Sequence, residues 1–402
     1  MKRIGLVCMG LALAANTANA QLTMQMSNGW TFTFAGNVNT FIYYENSNNG
    51  TTVTPGGLVP PGDLLNQTRL TVGLLPAFAV FDAKGKEGNT DLGVHFGFAP
   101  NVHCSAGVND CFGAQIDMRQ VFLTVGGSWG QLLVGRELGL YQRQNILTDQ
   151  TLFGVGGTGQ GGPGTGFGTT LGRIGYGYIY PNFRAQMTYS TAAGRPYQFS
   201  IGVFEAASNG PYEFIQMPRL ESEFTYSASG FKGWLGGSIN RTKSAPTGGE
   251  SLTAWGGAAG LRYEAAAFSV TGSGYYGKGI GTTLFTNLGS CSAAVLGCGA
   301  NGSDDARTSY GYIGQVTVTP PNSKVTIAGS YGSSILQESD VEEAAGAEFK
   351  TENTLISGGV YFQATKSLKV VGEFNYAWTK EKVSDPAKNS SFAPAFGFML
   401  FF

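Results

Sequence analysis

The charged side chains of this chain recur at every second residue of otherwise apolar segments. Arg69 lies in Gln67-Thr68-Arg69-Leu70-Thr71-Val72, and Arg219, Glu221 and Glu223 lie in Arg219-Leu220-Glu221-Ser222-Glu223-Phe224-Thr225-Tyr226. Arg184, Arg262 and Glu373 sit in segments of the same pattern. Alternation of period two puts such residues on one face of a strand, with Leu, Val, Phe and Tyr on the other. Charges of both signs on one wetted face can orient dipolar or ionic solutes in a shared field, a task that needs no bond-making group. The chain has 2 histidines, His95 and His103, and no Ser/His/Asp, Cys/His or paired-carboxylate constellation. That argues against an enzyme, and no ligand set for a metal is legible. The Gly-rich run 154–168 lacks the Gly-Lys-Ser/Thr ending of a phosphate cradle and opens no helix, so no cofactor is implied either.

The elements that must carry these residues repeat from Trp30 to Phe402. Each is about ten residues of alternation followed by a connection, long and short in turn. Long polar or Gly-rich stretches fall at 46–66, 101–116, 137–172, 207–218, 243–251, 278–306, 334–351 and 381–391. Short ones are Asp82–Thr90, Gly126–Gly130, Thr191–Arg195, Ser227–Gly230, Glu264–Ala266, Pro320–Ser323 and Thr365–Lys366. No helical segment is available to cover the apolar face, so the economical solution is an all-β, closed antiparallel transmembrane barrel with lipid outside and water inside. Loop parity predicts sixteen strands, with short turns and both termini periplasmic and long loops extracellular. The segment 173–190 is read as one long strand or a loop-end extension with a bulge near Pro181, since a hairpin there would add a strand and make the count odd; an eighteen-stranded barrel is the alternative. Aromatic residues gather near the short turns (Trp30, Phe81, Trp129, Tyr226, Phe231, Phe268) and near the long loops (Tyr43, Tyr44, Tyr276, Trp378), as two membrane-interface bands require.

Lys2 and Arg3, the apolar run Ile4–Ala15 and Ala18-Asn19-Ala20 read as a secretory signal peptide over 1–20, leaving 21–402 as one barrel domain. Without Lys2 and Arg3 the formal charge is −3, which does not favour nucleic acid. Charged residues are 13% of the chain and glycines number 62, a composition suited to bent, crowded strands. Cys104 and Cys111, and Cys291 and Cys298, lie as two close pairs in polar loops. In an oxidising compartment local disulfides 104–111 and 291–298 are expected, acting as loop staples.

The run from Arg119-Gln120-Val121-Phe122 through Gly126-Gly127-Ser128-Trp129-Gly130 to Gly135-Arg136 resembles the fourth and fifth strands of Gram-negative general porins. Thr33–Asn39 resembles a porin first strand, and Ala395–Phe402 resembles the terminal-Phe signal read by the outer-membrane assembly machinery. The resemblance implies a homotrimeric, sixteen-stranded channel in the outer membrane, among lipid and lipopolysaccharide, its third loop folded into the lumen. By position 137–172 is that loop, and Arg136 resembles a constriction-zone arginine although Leu132 and Val134 share its face. Glu137, Tyr141, Arg143 and Asp149 would then face a wall arginine cluster drawn from Arg69, Arg184, Arg219 and Arg262, with Glu221 and Glu223 also on the inward face of the wall. The third loop is dominated by Gly154–Gly168 rather than by an acidic cluster, so selectivity does not transfer. A passive porin is the leading reading. A channel specific for sugars or small organic acids, or a barrel enzyme or adhesin, are the alternatives.

Non-reduced peptide mapping by mass spectrometry is expected to find Cys104 with Cys111 and Cys291 with Cys298. Reduction is expected to leave the heat resistance of the barrel nearly unchanged, because each bridge closes only a small loop. A 104–291 cross-pair would show instead that the two loops meet.

Overall fold

The computed structural model describes residues 22–48, 50–62, 66–102, 116–158, 169–208, 212–286, 302–383 and 388–402. The expected signal peptide and all four loop cysteines lie outside them. The strands are β1 Leu22–Gln25, β2 Thr31–Ser47, β3 Gln67–Thr71, β4 Phe78–Glu87, β5 Thr90–Pro100, β6 Ile116–Gly127, β7 Gly130–Leu138, β8 Phe183–Ser190 and β9 Tyr197–Phe204. They continue as β10 Phe214–Ala228, β11 Phe231–Lys243, β12 Ser251–Glu264, β13 Phe268–Lys278, β14 Thr308–Val318, β15 Val325–Gln337, β16 Lys350–Gln363, β17 Leu368–Glu381 and β18 Lys388–Phe401. From β4 onward each strand pairs antiparallel with the next, and β18 closes on β2 from Phe401↔Asn37 to Ser391↔Ser47.

The eighteen strands fill sixteen positions in the wall. β3 and β4 are two pieces of one wall strand, pairing with the upper and lower parts of β2. β1 pairs with the lower end of β2, where β18 has ended. The break between β3 and β4 leaves backbone groups without ladder partners, and two asparagines of β2 supply them. Asn39 accepts from the Gly73 amide (2.9 Å) and donates to the Leu75 carbonyl (2.9 Å), while Asn37 donates to the Pro76 carbonyl (3.1 Å). At the seam the Phe402 amide donates to the Gly36 carbonyl (3.0 Å), and the Gly36 amide to Phe402 (2.8 Å).

Sixteen strands agree with the loop parity. The ambiguous segment resolves as a loop-end extension, since residues 173–182 belong to the third loop and the strand starts at Phe183. The expected short connection at Asp82–Thr90 is shorter still, because β4 runs to Glu87 and β5 begins at Thr90.

Face alternation holds around the wall. Leu70, Leu235, Leu261 and Phe374 are each at least 58% exposed on the outer surface, and Trp129, Tyr226, Phe231, Tyr44 and Tyr276 are exposed toward its two rims. Tyr43, assigned above to an interface band, points inward and is buried. The inner face is not uniformly polar. Phe41, Tyr361, Val371 and Met399 line one arc of it, formed by β2 and β16–β18, and pack there with Leu74, Val155, Ile174 and Tyr178. That apolar core lies inside the barrel, because the third loop runs across the lumen and needs a surface to bury against.

Phe374→Arg puts a charge on the lipid-facing side near the middle of β17 and is expected to cost about 2–4 kcal/mol. Lys232→Arg, on the wetted face, should assemble normally. Urea unfolding of liposome-folded protein compares them, and equal defects would overturn the two-faced assignment.

Candidate pore constriction

The third loop leaves β7 at Leu138, returns to β8 at Phe183, and its two ends are joined by the Gly139 amide on the Asn182 carbonyl (2.8 Å). Irregular backbone has no ladder of its own, so its donors must find acceptors on the wall. Three inward carboxylates provide them. Glu221 Oε2 accepts from the amides of Leu140 (2.7 Å) and Tyr141 (3.0 Å). Glu223 receives the Arg143 guanidinium (2.6 Å to Oε1) and the Gln144 amide nitrogen (3.0 Å). Glu373 Oε2 accepts from the amides of Val155 (2.7 Å) and Gly156 (3.0 Å), and its other oxygen takes the Tyr361 hydroxyl (2.6 Å). Gly154 permits this approach, since a Cβ there would overlap the Glu373 carboxylate.

Between these points runs a short helix, α1, Arg143–Thr148, and then a 3-10 turn, Gln150–Phe153. Trp234 donates its indole N–H to Asn145 (2.9 Å), and Gln315 holds both the Gln150 amide (2.7 Å) and the Thr148 carbonyl (2.9 Å). On the return path Arg173 is fully buried and donates to Ser330 Oγ and to the Leu355 carbonyl (3.0 Å). The Gly177 amide donates to Ser334 (2.9 Å) and the Tyr180 amide to the Thr283 carbonyl (2.8 Å).

The sequence-predicted residues fall into three groups. Glu221, Glu223, Arg143, Tyr141 and Asp149 come together, but in roles other than an acidic loop facing a cationic wall. The wall supplies the carboxylates and the loop supplies Arg143. Asp149 accepts from Thr151 (2.8 Å) and Tyr178 (2.8 Å) within the loop, and Tyr141 is buried against Phe285. Glu137 turns to Gln120 (2.7 Å) and the Leu138 amide (2.7 Å). Arg184 and Arg219 lie on the inner wall at β8 and β10, with Arg219 paired to Glu221 (2.8 Å). Arg69 sits higher, at the Tyr43 hydroxyl beside Glu45, and Arg262 sits low, with Glu264 (3.2 Å).

Arg136 does not join them. It pairs in register with Val121 and Ala185, as Val134 pairs with the exposed Leu123 and Met187, so it points outward. Strand parity decides this, because Gly135 and Glu137 take the inner face.

Sequence reading missed Arg173, Trp234 as a loop anchor, Gln315 and Ser330. Their partners are 89 or more residues away in the chain, and Arg173 lies in a Gly/Tyr stretch with no period. Its isolation as a cation in that stretch was the available signal.

The family model that describes Gram-negative porins matches residues 8–382. The chain belongs to the Gram-negative porin family. No curated protein matches it in sequence. Its fold is similar to the outer membrane channel DcaP of Acinetobacter baumannii (12% identity, 94% of this chain and 99% of that one, TM-score 0.68). It is also similar to an anion-selective porin from Comamonas acidovorans (12%, 93% and 100%, 0.60) and to Salmonella typhi OmpF (12%, 94% and 100%, 0.57). This porin is thus a channel of the outer membrane for passive diffusion, and family and fold are those of a channel rather than an enzyme.

Glu373→Ala removes the acceptor for two loop amides and the Tyr361 hydroxyl. Each charge-assisted bond is worth about 1.5–3 kcal/mol, so the loop should detach locally while the wall remains paired. Single-channel recordings are expected to gain conductance fluctuations, with heat-modifiable migration retained. A quiet channel like the parent would show that the loop does not depend on this carboxylate.

Proposed function

We propose that solutes cross this porin through a passage bounded on one side by the third loop and on the other by the inner arc of β4–β9. The observation that carries the reading is the direction of the loop's anchors. They run from 140–158 to β10, β14, β17 and β2, which leaves Asp82, His95, Arg184 and Gln186 on the opposite arc. Below this level Lys232, Arg262 and Lys369 keep partial exposure on the inner wall, Lys369 over the Phe153 ring (3.8 Å). Cations and carboxylates around a narrow water-filled gap favour small hydrophilic solutes over apolar ones, which bring no compensating interaction with that field.

The working assembly in this reading is a homotrimer within lipid and lipopolysaccharide, inserted by the barrel-assembly machinery through the terminal Phe402 signal. A Vibrio cholerae outer membrane protein of similar fold is described in a trimer form (13% identity, TM-score 0.56). The outward Arg136, near Arg119 and Asp117 of β6, supports a protein-covered face there. An outward charge facing lipid near the midplane costs about 2–4 kcal/mol.

Reconstituted protein is expected to show ohmic, salt-proportional conductance and liposome swelling that falls smoothly with sugar size. Deleting 159–168, which leaves the Glu373 and Glu221 anchors in place, should preserve assembly and change both conductance and size cutoff. Saturable uptake of one solute without general swelling would favour a specific channel, and an unaltered cutoff after the deletion would remove the loop from the passage.

A further inference from the structure

A second set of outward charges stands nearly opposite Arg136 in the closed wall. At their loop ends β16, β17 and β18 carry Lys350, Lys380 and Lys388, and Lys382 follows one residue beyond β17. Strand parity places all four on the outer face, with the exposed Ile356, Phe374 and Phe392. Tyr310, Tyr331, Tyr376 and Trp378 share that face beside and below them. Two of the amines lie over these rings, Lys350 on Tyr310 (5.5 Å) and Lys388 on Tyr376 (5.1 Å) and Trp378 (5.2 Å). Ammonium groups on long apolar stems at the level of an aromatic band mark a membrane interface, where an outward charge costs little. The long loops 334–351 and 381–391 make it the extracellular interface.

The carboxylates nearby are committed. Among the described residues Glu352 is the one outward carboxylate of these three strands, and its Oε2 pairs with Lys382 (2.7 Å). Its Oε1 accepts from Ser333 (3.2 Å) and Thr354 (3.3 Å), both fully buried. Glu381 accepts from the amides of Lys350 (3.1 Å) and Val383 (2.8 Å). Lys380 and Lys388 stand directly opposite each other across the β17–β18 ladder. Like charges in that register repel, and they do so more strongly at the edge of hydrocarbon, where screening is weak. An anion placed between the two ammonium groups turns that repulsion into attraction.

We propose that the loop ends of β16–β18 seat a phosphorylated glycolipid of the outer leaflet, with headgroup phosphate between Lys380 and Lys388 and beside Lys350. Lysine meets a phosphate as a point charge while its stem stays on apolar surface, and the aromatic band below holds that anion at headgroup depth. A second copy of the chain does not suit this face. In a closed trimer the two contact faces of a protomer lie close together on one side of the barrel, and Arg136 marks them on the opposite side. The inference deepens the reading above of a trimer within lipid and lipopolysaccharide, and it rests on that reading.

The test folds the full-length protein in detergent free of native lipid and adds lipid A carrying two phosphates or none, with bound lipid counted by native mass spectrometry. The bisphosphorylated lipid is expected to stay bound and to raise the temperature at which the assembly dissociates, and the dephosphorylated lipid to be retained several-fold less. Lys380→Gln with Lys388→Gln is expected to lower retention several-fold while heat-modifiable migration is kept, and Lys380→Arg with Lys388→Arg to restore it. Arg241→Gln with Lys243→Gln, which removes two outward cations of β11, is the control and should bind as the parent does. Equal losses in the two glutamine pairs, or equal retention of both lipids, would overturn the seat. So would a lowered oligomeric state with lipid retention unchanged, which would make this face a contact between copies. Liposome swelling is measured alongside. Swelling by a protein that retains no lipid A strikes the seat alone, and retained lipid A without swelling strikes the diffusion reading alone.

Discussion

Hydrocarbon offers no hydrogen bonds, and most of this architecture follows from that one constraint. Every backbone N–H and C=O at membrane depth must find a partner within the protein, which forces the sheet to close on itself. The β18–β2 seam, the Phe402–Gly36 pair and the small β1 strand beside β2 all serve closure. Where the ladder breaks between β3 and β4, Asn37 and Asn39 stand in for a neighbouring strand.

The same requirement reaches into the lumen. A loop that crosses the barrel carries irregular backbone away from bulk water, so it can settle only where acceptors await it. Glu221 and Glu373 each take two loop amides, and Glu223 takes a loop guanidinium. Negative charge on the wall is thereby committed to structure, and this inverts the arrangement of an acidic loop opposite basic strands. Apolar contacts complete the docking. Val155, Ile174 and Tyr178 bury against Phe41, Val371 and Met399, so part of the barrel interior is a conventional core while the rest stays wetted.

A single residue step separates lumen from outer surface in a strand, which makes parity the most consequential local fact. Arg136 illustrates it. The Gly-Arg ending of β7 suggested a pore residue, yet unbroken register with β6 and β8 turns its side chain outward and leaves Glu137 inside.

Alternation, loop parity and composition were enough to determine the barrel, its sixteen wall strands, the inward setting of Arg184, Arg219, Glu221, Glu223 and Glu373, and the existence of a long third loop. All depend on interactions that repeat with the pleat, and a repeating interaction leaves a periodic trace in the chain. The tertiary structure alone decided what the loops do inside. Arg173 with Ser330, Gln315 with Thr148 and Phe285 with Arg219 join residues far apart in the chain and without period. Such contacts are set by where an irregular backbone can satisfy its polar groups within a finished wall, and no pattern within one segment encodes that meeting.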